Sequence, residues 1–143
     1  MKIITAISKV FILLSALSIL SVSLMAFADP RAVMQLVEVE LNNNDAISSI
    51  RGVYGGVGLT LVTAMIYLML KDLKKGLLFL SLMWGFYALS RMITILVDGS
   101  LGEFGNKWLA IESVFFFLSA ILWLLLKQQF RKESGRLKTA ELG

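Results

Sequence analysis

The stretch "LMAFADPRAV", residues Leu24 to Val33, decides how many helices this chain has. It closes an apolar run with Ala26-Phe27-Ala28, the small-x-small form of a signal-peptide cleavage site. Lys2 and Lys9 supply the basic start that such a signal needs. Cleavage after Ala28 would leave three apolar helices, and retention leaves four. The run from Val10 to Met25 is longer than an ordinary signal core and long enough to cross a bilayer. Retention is therefore the expectation.

Outward from this stretch, the composition is that of a membrane chain. Of 143 residues, 57% are hydrophobic, and the mean hydropathy is +0.79, above the roughly 45–50% apolar content of ordinary globular domains. The chain has no cysteine and no histidine. That excludes disulfides, thiol chemistry, Cys–His and Ser–His nucleophile pairs, and ordinary zinc or haem ligation. No cofactor and no metal site are expected.

Four apolar runs fit membrane helices, at residues 10–28, 52–70, 77–97 and 108–126. Each has about the 20 residues that cross roughly 30 Å of hydrocarbon at 1.5 Å per residue. The expected fold is all-α: one four-transmembrane-helix domain over residues 1–130, followed by a basic cytoplasmic tail over 131–143. Lys2 and Lys9 precede the first span, Lys71, Lys74 and Lys75 fill the turn between the second and third, and Lys127, Arg131, Lys132, Arg136 and Lys138 follow the fourth. The other two loops carry Asp29, Glu38, Glu40 and Asp45, and Asp98 and Glu103. This bias places both termini in the cytoplasm of a bacterial inner membrane. The basic excess is thus a topology signal, and no nucleic-acid partner is expected.

Between the first two spans, Asp29 can cap a helix that Pro30 begins. Val33, Leu36, Val37 and Leu41 recur at helical spacing, which predicts a short amphipathic helix in the first outer loop, ended by Asn42-Asn43-Asn44. Asp45 or Ser48 is expected to cap the second span. Lys71 to Gly76 reads as a tight hairpin that makes spans two and three antiparallel neighbours.

Three charges lie inside the spans: Arg51, Arg91 and Glu112. A charge near the bilayer centre costs roughly 2.5–3.5 kcal/mol on insertion scales, so it faces the protein interior and finds a partner. Counted at about 1.5 Å per residue, all three fall near one level in the outer half of the membrane. The expectation is an interior cluster, with Glu112 between Arg51 and Arg91 and Asp98 above. Tyr54 lies three residues after Arg51 and Tyr87 four before Arg91, placing a phenol beside each. The cluster is read either as a structural brace or as a site for a lipid or anionic headgroup. Gly52, Gly55, Gly56 and Gly58 are the candidate helix-packing residues, with Gly52 and Gly56 forming a G-x-x-x-G pair. The tryptophans and phenylalanines of the spans read as core or interface-belt residues.

"IRGVYGG", then "SR" with "DG" seven to eight residues later, then a glutamate in the last span, resemble the small bacterial membrane family catalogued as domain of unknown function 4345. The similarity runs from about Lys9 to Leu126. It implies a four-helix bundle with an uncleaved first helix, broadly similar to DoxX-like proteins, and it brings topology rather than an activity. The motif positions fall on Arg51, Tyr54, Gly55, Gly56, Arg91, Asp98, Gly99 and Glu112. Two positions depart from the family's usual pattern: Ser49, where an acidic residue often precedes the Ile-Arg pair, and Ser90, where glycine often precedes the second arginine.

The functional expectation is a structural, accessory or small-ligand-binding membrane protein rather than an enzyme. Its expected partners are the bilayer, a lipid or anionic small ligand, and a larger membrane complex or homo-oligomer. One alternative is a small transporter or channel subunit, although the inner halves of the spans carry no charge. A second is a membrane enzyme using Glu112 as acid or base, although no nucleophile or cofactor motif accompanies it.

Overall fold

A computed structural model describes residues 2–141, with side chains for residues 2–132. The described residues form helices α1 (Lys2–Ala28), α2 (Pro30–Gln35), α3 (Asn44–Ile50), a π-helical segment (Arg51–Val57), α4 (Gly58–Lys71), α5 (Leu73–Val97) and α6 (Glu103–Glu141). No strand occurs among them. Four helical stretches are long and apolar enough to cross a membrane: Lys2–Ala28, Asn44–Lys71, Leu73–Val97 and Glu103–Lys132. The second joins α3, the π-helical segment and α4 into one rod. The chain is thus a multi-pass four-helix membrane protein, and each helix is longer than the apolar run that signals it.

Helix α1 packs chiefly against α4 and the π-helical segment, α5 against α6, and α4 against α5. One end of the bundle carries the α1–α3 connector and the α5–α6 loop. The other carries the α1 N-terminus and the α4–α5 hairpin. At that hairpin Asp72 caps α5, its Oδ1 accepting the Lys75 amide at 3.1 Å. The Asp72 carboxyl is held below its ordinary pKa chiefly by this bond, with the Lys75 ammonium adding to it.

The core is built from Ile12, Ala16, Met65, Leu77, Leu80, Met83, Trp84 and Leu126. Small residues on α1 set how closely the helices approach. Ser8, Ser15 and Ser23 are fully buried, and the Trp84 indole donates to the Ser15 hydroxyl at 3.3 Å. Helix α1 is therefore a structural wall of the bundle, with core residues of its own.

The glycines divide differently from the expected G-x-x-x-G pair. Gly52 and Gly56 face open space. Gly55 lies under the Phe27 ring, where an added Cβ would come within 2.9 Å, and Gly58 lies against Ser23. The α1 contact thus falls on Gly55 and Gly58. The wide π turn adds a residue to the helix at this point and shifts the phase of every later position on the rod.

The connector also departs from expectation. Asp29 does cap α2, accepting the Arg31 amide at 3.0 Å, and Pro30 opens the helix. But α2 stops at Gln35, and Glu38 takes φ 57°, so Leu41 arrives by an irregular path. Val33, Met34 and Leu41 are buried against Ala26, whereas Leu36 and Val37 are exposed. The cap of the second membrane helix is Asn43, accepting from the Ala46 amide at 2.8 Å, rather than Asp45 or Ser48. Beyond residue 130, α6 runs on to Glu141, so the expected tail continues the fourth helix. The side chains of Arg136 and Lys138 lie outside the described residues.

Candidate functional site

Arg91 comes from α5 and Glu112 from α6, the pair of helices with the most extensive mutual packing. The guanidinium meets the carboxylate with two bonds. Nε donates to Oε2 at 2.7 Å and Nη2 to Oε1 at 2.9 Å. This fork-on-carboxylate geometry satisfies both carboxylate oxygens at once. Glu112 is 2% exposed, and the Arg91 side chain 23%. A buried pair of this kind tolerates its surroundings only while both partners are present.

Arg51 does not join them. Its Nε donates instead to the Phe27 carbonyl at 3.2 Å, near the last turn of α1. The four C-terminal carbonyls of a helix lack intrahelical donors, so Arg51 ties the end of α1 to the start of the second membrane helix. Asp98 is exposed and caps the C-terminus of α5, its amide bonded to Thr94 O at 2.8 Å, followed by Gly99 at φ 104°. No ion pair involves Asp98 among the described residues. The expected four-membered cluster is therefore corrected to one closed pair, one arginine on a helix end, and one solvent-side cap. Arg91 already neutralises Glu112 through both oxygens, and Arg51 lies at the end of α1, where an unpaired helix-end carbonyl takes its Nε.

Beside the pair lies a cavity of about 450 Å³. It opens between α1, the π-helical segment, the start of α4, α5 and α6, beneath the connector. Arg91, Glu112, Tyr54 and Tyr87 all line it, whereas Arg51 and Asp98 do not. Helical spacing alone sets Tyr54 and Tyr87 beside one arginine each. The structure instead gathers both phenols at the cavity, and neither hydroxyl has a hydrogen-bond partner among the described residues. Val33 and Met34 of the connector roof the space. Trp84 lies thirteen residues before the end of α5 and lines the deep end. That is about 20 Å along the helix from its loop end. Below it the core residues Ile12, Met65, Leu77 and Leu80 leave no exposed surface.

Trp84 is a core residue, as its sequence reading has it, and both it and Trp108 also line the cavity. Their spacing carries the signal. Trp84, Tyr87 and Arg91 fall three and four residues apart on α5, and Trp108 precedes Glu112 by four on α6, so each set shares a helix face. Trp84 also packs against neighbouring rings, with centroids 5.1 Å from Phe115 and 6.0 Å from Tyr87. Among the described residues, no group of acidic, cysteine or histidine side chains is placed to hold a metal ion.

No curated protein and no solved structure matches the chain. A family model described as a domain of unknown function (DUF4345) matches residues 7–125. That match reaches into all four membrane helices and spans every residue that lines the cavity, and this chain belongs to the DUF4345 family.

Proposed function

We propose that this protein is a bacterial inner-membrane binding protein that takes the polar end of a membrane-soluble amphiphile into the cavity beside Arg91 and Glu112. The observation that carries this reading is the combination in one wall: a buried ion pair, two unpartnered phenols and two tryptophans around about 450 Å³. Binding sites for small molecules are commonly of this size, mostly apolar, with a few convergent polar groups. The ion pair braces α5 to α6 and thereby holds the wall in place, so structural and binding roles coincide.

The basic residues Lys2, Lys9, Lys71, Lys74, Lys75, Lys127, Arg131 and Lys132 gather at the hairpin end. This supports an orientation with both termini cytoplasmic and the cavity on the extracytoplasmic side. The packed core beneath the cavity favours a closed site over a through-path. The engagement of both Glu112 oxygens by Arg91 favours binding over acid–base chemistry.

The test is native mass spectrometry of protein extracted gently from its own membranes. The wild type should retain a small amphiphile. Val57→Trp should lose it with an unchanged melting temperature, because Val57 lines the cavity yet is half exposed, leaving the added ring room. A wild type without adduct, or a variant that keeps it, would overturn the reading.

A further inference from the structure

The chemistry of the cavity wall narrows its occupant. Resting on the binding reading above, we infer that the ligand head is a neutral, carbonyl-bearing ring or chain rather than an anionic headgroup. The sequence counts two intramembrane arginines against one glutamate, which favours an anion. The structure removes that excess from the site. Arg51 is absent from the cavity wall and spends its Nε on Phe27 O. Arg91 is neutralised by Glu112 through two bonds. The ion pair at the wall therefore carries no net charge. An anion entering this largely apolar space would have to be desolvated with no uncompensated cation to meet it.

What the wall does offer is hydrogen-bond donors. Arg91 Nη1 takes no part in the pair with Glu112. The Tyr54 and Tyr87 hydroxyls and the Trp108 indole N–H have no partner among the described residues. Two of these groups, Arg91 Nη1 and the Trp108 N–H, can only donate, whereas each Glu112 oxygen already accepts one bond from Arg91, so open donors exceed open carboxylate acceptors at the wall. A donor-rich, neutral wall with aromatic faces complements an acceptor without charge, which is the chemistry of carbonyl oxygens on an apolar frame. On the bilayer side a second, apolar groove shares Leu61 and Tyr87 with this cavity, along the seam between α4 and α5. It gives an attached hydrocarbon chain a path from the cavity toward lipid.

The experiment uses the full chain in detergent micelles, carrying Trp123→Phe so that Trp84 and Trp108 alone report. Menadione, a neutral naphthoquinone, and a short-chain phosphatidylglycerol are titrated separately, and tryptophan quenching or displacement is followed. Menadione should bind saturably. Tyr54→Phe and Tyr87→Phe, which keep the rings, should each weaken it about three- to tenfold, and Val57→Phe, which fills space without adding a tryptophan, should abolish it. Saturable phosphatidylglycerol binding without menadione binding would overturn this inference and leave the binding reading standing. Saturable binding of neither probe would count against both. Menadione binding that ignores all three cavity substitutions would overturn the placement of the ligand.

Discussion

Arg91 and Glu112 lie 21 positions apart in the chain and are joined by two hydrogen bonds of 2.7 and 2.9 Å, with the carboxylate closed off from its surroundings. Because they sit on different membrane helices, the pair fixes the rotation of α5 relative to α6. Arg51 makes a single bond, to a backbone carbonyl. Arg51→Met should therefore cost about 1 kcal/mol, the worth of one hydrogen bond. Arg91→Lys, which keeps the charge but loses the fork, should cost more. Unfolding of the purified protein in micelles measures both, and an Arg51 variant as damaged as the Arg91 variant would reverse the ranking.

The glycines should separate in the same assay. Gly58→Ala drives a methyl into Ser23 and should lose roughly 1–3 kcal/mol by overpacking. Gly52→Ala meets nothing within 4 Å and should be neutral or slightly stabilising, since alanine restricts the unfolded chain. Equal damage from the two would mean that Gly52 packs against something outside this chain.

Helix α1 should be present in the mature protein. It covers Gly55 with Phe27, seats Gly58 against Ser23, and accepts Trp84 on Ser15. Intact-mass measurement of membrane-extracted protein should find the residues before Asp29 attached. A chain that begins at Asp29 would contradict this.

At the hairpin, Asp72 gives a stability contribution with a defined sign. Its carboxyl lies below its ordinary value of 3.8 because the charged form accepts the Lys75 amide. The contribution is therefore fully present above about pH 5, where even the unfolded chain is ionised, and is lost as pH falls through the lower folded value. Asp72→Ala should lower stability by about 1 kcal/mol at neutral pH, as removal of an N-cap does. The gap from wild type should close in strong acid, as followed by melting temperature against pH.

Because the chain has no cysteine, orientation is open to single-cysteine labelling in whole cells. Ser100→Cys in the α5–α6 loop should react with an impermeant maleimide, and Lys74→Cys at the hairpin should not. The reverse pattern would invert the proposed topology.

The four helices are legible in the sequence because runs of some 20 apolar residues have few other uses, and charged loops mark where each run ends. Arg91 and Glu112 are legible as partners because lipid leaves a buried charge few alternatives. Arg51 is misplaced by the same logic, because a sequence shows side-chain charges but hides unpaired backbone acceptors, and the Phe27 carbonyl is one of these. The π turn at Arg51–Val57 is hidden as well. Helical spacing assumes 3.6 residues per turn, so Gly52 and Gly56 look like the packing pair when Gly55 and Gly58 carry the contact. The cavity emerges only when Tyr54, Tyr87, Trp84 and Trp108 from three membrane helices are set around one space.

The most direct test is a double-mutant cycle on Arg91→Gln and Glu112→Gln, read by reversible unfolding in micelles. Each single change should cost about 3 kcal/mol, because it strands a buried charge. The double variant should cost less than the sum of the two, with a coupling of about 2 kcal/mol or more. Strict additivity would show that the two side chains do not hold one another, and the braced cavity wall would fall with that result.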